Sequence, residues 1–529
     1  MNRQSFIAGT SILIGASLVT RVLGFVYRIA ITRLIGAEGI GLFQMVFPLL
    51  SLILTIATSG MRVAIAKLVA ESVVTGDRRR IRRVLSIAGI VTGALSLLLS
   101  AVCALYGHEL ARRVFTDPRA YYPFMMLIPL IPIIAVSSVL RGYFQGLQIM
   151  STPSAAAILE TLVRIAGVWA IASLSLARGL EYAAAAVSAG MILGELAGCL
   201  YMFLVYWKRA RVRSLSLPAA AGRPEPARAT VRAMLGLALP VTFSGFIGSI
   251  AYAVEPILVT RSLLGTGLTA SAATRLYGEY SGMAIPLLVF PTVFTYSLAV
   301  QLVPSVSEAL AAGRSKLVAR RLNQSFRVTA IVGFPMSLIL LQFATPLCQL
   351  IYGQPQVGEI LAIMAPCGFL LYLQGPLSGI LQGINRAGTA MRNSLIGSGV
   401  KLAVIYLLAS DPAIGVKGAA WALTAAVTLT TLLHTGSIHR LVGFYVNVAD
   451  TAKIAAATAA AGLLMQGLWL ALAARMHLAP VLFIVLFAGL VFYACLLLAM
   501  RAVTSRMLAR IPAVGKTLAR FVHSLPFAR

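Results

Sequence analysis

Apolar runs recur from one end of the chain to the other, separated by short polar stretches. Each is near the roughly 20 residues a helix needs to cross about 30 Å of hydrocarbon. The runs are rich in Leu, Ile and Ala and lack the alternating polar residues of a barrel strand, so helices are predicted. They fall near 6–35, 42–72, 84–107, 120–147, 152–177, 182–206, 233–264, 274–311, 326–352, 357–384, 389–410, 415–439, 450–474 and 478–500. Met1–Gln4 is short and basic, but the first run continues into Arg21 and Arg28, which predicts a spanning helix rather than a cleaved signal peptide. The one long polar break, between Trp207 and Arg232, is rich in Arg, Pro and Ala. It predicts an N-lobe over 1–207, a basic cytoplasmic linker over 208–232, a C-lobe over 233–440, two further helices over 441–500 and a basic tail over 501–529. The fold class predicted is an all-α polytopic membrane protein of about fourteen helices, two six-helix lobes with two helices added at the C-terminal end.

Composition agrees. Hydrophobic residues make up 59% of the chain and charged residues 11%, and mean hydropathy is +0.90, more apolar surface than a soluble core hides. The net charge of +29 would suggest nucleic acid in a soluble protein. Here 29 of the 44 Lys and Arg residues fall at the N-terminus, in alternate loops and in the tail, a single one of them assigned to the loop joining the fourth and fifth helices. Nine fall in the other loops, and six lie within or near the ends of spans. That bias predicts a plasma-membrane protein with both termini cytoplasmic, its basic loops against anionic lipid and no nucleic-acid partner. The tail from Arg501 reads as a surface-lying amphipathic stretch. The five cysteines all sit in apolar runs without a Cys-x-x-Cys pair, so neither a metal site nor a disulfide framework is predicted. The largest outer loop, near 107–120, offers only Glu109 and Asp117 as acids, which argues against a polytopic enzyme.

The chain repeats itself. A shift of 237 residues matches Val63 to Val300, Val69 to Val306, Glu71 to Glu308, Gly76 to Gly313 and Arg83 to Arg320, and later Pro129 to Pro366, Gly142 to Gly379, Gln145 to Gln382 and Gly146 to Gly383. One constant shift serving two separated blocks predicts two equivalent lobes of the same orientation, with a substrate site between them. The same shift sets Arg164 on Lys401.

Charged residues inside spans are costly, roughly 2.5–3.5 kcal/mol each on insertion scales, and usually face a cavity or a partner. Arg21 and Arg28 share one face of the first helix with Ser17 and Gly24. Arg62 lies mid-way along the second, with no acid one turn away. Glu160 and Arg164, four apart, are placed to pair. Lys401 has no local acid. Glu255 precedes Pro256, whose ring frees a backbone carbonyl, so this carboxylate reads either as a site for Na⁺ or H⁺ coupling or as an interlobe salt bridge. Glu195, near Gly194 and Gly198, reads as an interhelical packing residue. A cavity lined by Arg21, Arg28, Arg62, Arg164 and Lys401 suits an anion, and planar guanidinium donors suit phosphate or pyrophosphate. No cofactor is called for; coupling to Na⁺, H⁺ or the membrane potential stays open.

The stretch Ala272-Ala273-Thr274-Arg275-Leu276-Tyr277-Gly278-Glu279, running to Pro286 and Pro291, together with Glu255-Pro256 and Val63-Ala64-Ile65-Ala66-Lys67-Leu68-Val69-Ala70-Glu71, resembles the polysaccharide-biosynthesis membrane proteins of the stage V sporulation protein B type. These belong to the multidrug/oligosaccharidyl-lipid/polysaccharide exporter superfamily. Thr20-Arg21-Val22-Leu23-Gly24-Phe25 resembles the first-helix motif of its lipid II flippases, whose matching arginine lines the central cavity. Their next cavity arginine falls on Tyr27, one step before Arg28, and their second-helix arginine falls near Leu54, two turns from Arg62. The resemblance implies two rocking lobes that flip lipid II or a related undecaprenyl-linked glycan pyrophosphate, with membrane lipids and cell-wall synthesis enzymes as partners. In endospore formers it implies cortex peptidoglycan assembly. The alternatives are export of another lipid-linked polysaccharide and a multidrug or cation antiporter on the same scaffold.

Overall fold

The computed structural model describes residues 6–213, 226–313, 315–443 and 447–503. Most of the tail and the middle of the basic linker therefore lie outside the described residues. Among those described there is no strand. Eleven helical stretches are long and apolar enough to cross a membrane. The first of them, Gly15–Val74, runs 60 residues and is broken at Gly36, whose φ of 69° only a residue without a Cβ adopts readily.

The chain divides into two compact units. The first comprises Met1–Met283 with Ile405–Val416. It contains α1 (Phe6–Val74), α2 (Arg78–Leu105), α3 (Gly107–Val114), α4 (Tyr121–Leu127), α5 (Leu130–Gly146), α6 (Ser151–Ser175), α7 (Leu180–Arg213), α8 (Ala227–Gly265) and α9 (Ala270–Tyr277). A π-helical turn, Gly278–Ala284, follows α9. Local chemistry sets the boundaries. Gly76 takes a positive φ of 71° after α1, and Asp77 then caps α2 by accepting from the Arg80 backbone N–H at 2.8 Å. Pro48, Pro240 and Pro256 sit inside long helices, where neighbouring helices tolerate the lost hydrogen bonds.

Small residues let the helices of this unit approach backbone to backbone. On α5, a Cβ added at Gly142 would lie 3.0 Å from the Arg62 carbonyl oxygen, and one at Gly146 would lie 2.7 Å from that of Ala66 and 2.8 Å from Val69 Cβ. On α7, Gly194 would meet the Glu160 carbonyl oxygen at 2.7 Å and Gly190 the Val168 nitrogen at 2.8 Å. On α1, Gly41 would meet the Thr274 carbonyl oxygen at 2.2 Å, while Gly278 would meet that of Ala37 at 1.9 Å and the Gly41 nitrogen at 2.9 Å.

The second unit comprises Ala284–Val404 with Lys417–Arg529. It contains α10 (Ile285–Val289), α11 (Thr292–Ala311), α12 (Ser315–Gln342), α13 (Ala344–Tyr352), α14 (Val357–Met364), α15 (Gly368–Gly383), most of α16 (Ala387–Ala409), α17 (Lys417–Val442), α18 (Val448–Leu472) and α19 (Leu478–Ala499). Here α15 packs on α11 as α5 packs on α1. A Cβ at Gly379 would lie 2.7 Å from the Ala299 carbonyl oxygen, and one at Gly383 would lie 2.9 Å from both the Val303 carbonyl oxygen and Val306 Cβ. Every partner is displaced by 237 residues from its mate in the first unit, so the repeat in the sequence is also a repeat of a specific helix crossing.

Candidate functional site

The glycine crossings of the first unit bring four charged side chains from three helices together. Arg141 of α5 donates through Nη2 to Glu160 Oε2 of α6 at 2.8 Å and reaches Glu195 Oε1 of α7 at 3.5 Å. Its Nε donates to Ser137 Oγ at 3.2 Å. Arg164 closes on the other oxygen of Glu160, as their spacing predicts. Glu160 thus bridges two guanidinium groups with 13% of its side chain exposed, and Glu195 lies beside it at 10%. Burying carboxylates to this degree is costly unless they are paired and hydrogen-bonded in this way.

A cavity of about 250 Å³ opens beside this cluster, lined by Thr58 and Arg62 of α1, Ile134, Ser137, Ser138 and Arg141 of α5, and Glu195 of α7. Thr58 and Arg62 are one turn apart, as are Ser137 and Arg141, so each helix presents one polar face to it. Arg62 is exposed and makes no ion pair among the described residues. Two guanidinium groups and one carboxylate leave the walls with a net positive charge, and three hydroxyls add neutral hydrogen-bonding capacity. The arrangement suits a small anionic oxygen-rich group: Arg62 offers five donors in a plane, and Arg141 is fixed in place by its two carboxylates.

The remaining sequence-predicted residues are distributed around the same unit, with one exception. Arg28 Nη2 donates to Gln44 Oε1 at 3.4 Å, and Gln44 Nε2 in turn donates to the Ser281 carbonyl oxygen at 3.3 Å and to Ser281 Oγ at 3.1 Å. This joins the two arms of α1 and the π-helical turn. Arg21 lies half-buried, two helical turns before Arg28. Glu255, buried in α8, accepts from the Tyr280 hydroxyl at 3.1 Å; beside it, Thr260 Oγ1 donates at 2.7 Å to the carbonyl oxygen of Pro256. The exception is Lys401, which sits on α16 in the second unit.

Sequence reasoning missed Arg141. It falls within the fourth predicted helix, 120–147, but is counted with the loop that follows it; in the structure it lies inside α5, more than a turn before Gly146. A signal did exist. Two acids, Glu160 and Glu195, lie within spans against one local cation, Arg164, and a second buried carboxylate calls for a second buried cation.

A second polar cluster lies where α1, the segment after α3 and α9 meet. Arg119 holds Asp117 through Nε at 3.1 Å and Nη2 at 2.8 Å, and reaches Glu38 Oε1 at 2.6 Å. Ser271 Oγ donates to Glu38 at 2.5 Å and Thr274 Oγ1 to Asp117 at 3.0 Å. Burial raises the Asp117 carboxyl, but hydrogen bonds and charge from Arg119, with the Thr274 hydroxyl, outweigh it and hold the group below its ordinary range.

Residues 6–310 match the family described as polysaccharide biosynthesis protein, and residues 281–407 match the MatE family. The chain is 37% identical to stage V sporulation protein B of Bacillus subtilis (strain 168) over 522 residues, 98% of this chain and 100% of that one. It is 25% identical to the lipid II flippase MurJ of the same organism, over 78% of this chain and 79% of that protein. The fold is that of a solved lipid II flippase MurJ in an inward closed conformation, with a TM-score of 0.67 and 14% identity over 92% of this chain and 97% of the other. The helical architecture, the repeated crossing and a match along essentially the whole chain lead to one assignment: the protein belongs to the polysaccharide biosynthesis protein family, as a membrane protein of the stage V sporulation protein B type.

Proposed function

We propose that this protein is an alternating-access flippase that exports an anionic undecaprenyl-linked cell-wall precursor, lipid II foremost, from the cytoplasmic to the outer leaflet of the plasma membrane. The observation that carries the reading is Arg62, a guanidinium without an ion-pair partner among the described residues, facing a cavity shared with Arg141 and three hydroxyls. Such a pair of cations suits the phosphates of a lipid-linked sugar pyrophosphate, whose tail can remain in the bilayer while the head group crosses. Arg21 and Arg28 extend the cationic path along α1, and Lys401 supplies its counterpart in the C-lobe. The two lobes, 1–207 and 233–440, rock about the substrate, with 441–500 as an added helix pair and both termini cytoplasmic. The relatives support the substrate class: one is named a lipid II flippase and another a sporulation protein. Export of peptidoglycan precursor, toward the spore cortex in an endospore former, satisfies both.

The test is reconstitution into proteoliposomes with fluorescent lipid II and, separately, a lipid-linked teichoic precursor. The wild-type protein is expected to flip lipid II, with Arg62→Ala and Arg21→Ala slowing it at least about tenfold and Arg62→Lys retaining part of the rate. Flipping of neither lipid by the wild type, or rates unchanged in both alanine variants, overturns the reading. Flipping of the teichoic precursor alone moves the assignment to another lipid-linked glycan.

A further inference from the structure

The second unit contains a cavity that the transport reading does not use. It measures about 880 Å³ and lies among α11, the N-terminal part of α12 and the start of α18, within the span of ordinary ligand pockets, about 300–1,000 Å³. Its acidic group is already satisfied. Asp450 accepts from Arg327 Nη1 at 3.1 Å, and Arg327 also donates through Nε and Nη2 to the Ala502 carbonyl oxygen at 3.0 and 2.5 Å. Asn447 caps α18 by accepting from the Asp450 N–H at 3.3 Å, while its own N–H donates to Asn323 at 3.3 Å. These groups are committed to structure.

What remains on the walls is cationic. Arg320 and Arg321, adjacent on α12, line the cavity and make no ion pair among the described residues. Gln324 is exposed beside them. Ser325 also lines the cavity; it is 5% exposed, and its Oγ has no hydrogen-bond partner among the described residues. A serine inside a helix ordinarily donates to a carbonyl one turn back, so a buried hydroxyl that does not is a donor left for something else. Leu302 and Phe326 supply an apolar wall. Two guanidinium groups, a buried hydroxyl and an apolar flank match the head-group end of an anionic lipid: phosphate at the arginines, glycerol or first isoprene against the apolar side.

We propose that this cavity is a binding site for the phosphate-bearing head group of a membrane lipid, with Arg320 and Arg321 as its anion contacts and Ser325 as its buried donor. It is separate from the Arg62 cavity and does not depend on the transport reading. The phosphate can come from a bilayer phospholipid or from an undecaprenyl-linked pyrophosphate, and the experiment separates them.

The full chain, purified in neutral detergent, is titrated with phosphatidylglycerol, with undecaprenyl pyrophosphate and with inorganic pyrophosphate, and bound ligand is counted by native mass spectrometry. At least one lipid is expected to bind, and the tighter of the two names the source. Arg320→Gln/Arg321→Gln should weaken it roughly thirtyfold, each basic group near an anionic head group contributing on the order of a factor of five. Arg320→Lys/Arg321→Lys should restore most of the affinity, which separates loss of charge from misfolding, and Arg475→Gln should change nothing. Equal binding by wild type and the glutamine variant overturns the proposal, and so does binding of inorganic pyrophosphate without either lipid. Loss of lipid II flipping in wild type would sink the transport reading and leave this site standing.

Discussion

Arg141 and Glu160 meet at 2.8 Å between α5 and α6, and Glu160 simultaneously holds Arg164. One carboxylate therefore fixes the positions of two guanidinium groups beside the cavity. Substituting Glu160→Gln leaves Arg164 without its partner and Arg141 with only Glu195. We expect a loss of stability on the order of 3 kcal/mol, toward the low end for breaking a buried pair because Arg141 keeps one carboxylate. Thermal unfolding of the purified protein measures it. The double variant Glu160→Gln/Arg164→Gln should recover part of the loss, since it removes the stranded charge along with its partner; strictly additive effects would contradict the bridging role.

The crossing of α1 with α9 and its π-helical turn has no room for a side chain at two points. Gly41→Ala and Gly278→Ala would place a Cβ 2.2 and 1.9 Å from backbone carbonyl oxygens. Backbone must move, at a cost of about 1–3 kcal/mol. Both variants should melt earlier than wild type. Gly24→Ala, where nothing lies within 4 Å of the added atom, should be neutral or stabilising by up to about 1 kcal/mol through helix propensity. A Gly41→Ala melting point equal to that of Gly24→Ala would refute the close approach.

The Asp117–Arg119 pair should be insensitive to mild acid. The Asp117 carboxyl is lowered in the folded protein, so its stabilising contribution is fully present above the unfolded value of about 3.9 and is lost only as pH falls through the folded one. Melting temperature followed from pH 8 to pH 5 should show no step attributable to this group. Asp117→Asn should cause a constant drop across that range, and a drop that vanishes by pH 5 would contradict the assignment.

If the passenger is a pyrophosphate, the membrane potential helps to drive it. An inside-negative potential favours outward movement of anions by about 2.3 kcal/mol per charge per 100 mV, and the same field draws the emptied cationic cavity back. Collapsing the potential with valinomycin and potassium at constant pH should slow flipping in proteoliposomes. An unchanged rate would reject electrical driving and leave Na⁺ or H⁺ exchange as the source.

Much of the architecture was legible in the chain because a bilayer imposes a length rule that soluble cores do not. The end predicted for the first helix, at 35, falls beside the break at Gly36, and the Gly142/Gly379 and Gly146/Gly383 matches proved to be backbone contacts. The Glu160–Arg164 pair was legible because its spacing is local. The Arg141 contacts to Glu160 and Glu195 were not, because they join three helices, and nothing in a one-dimensional pattern says which faces of those helices will meet. The unpartnered Ser325 hydroxyl was hidden for the same reason, since a serine in a helix reads as satisfied by its own backbone until the helix is seen in place.

The contacts around Gly41 have a further consequence. Ala37 and Thr274 are 237 residues apart, and so are Gly41 and Gly278; the first glycine sits on Thr274 while the second sits on Ala37. Contact of residue i with the mate of j, answered by j with the mate of i, is the signature of an isologous association. The two repeats therefore cross here as a pair related by a two-fold axis, with glycine at the point of closest approach on both sides.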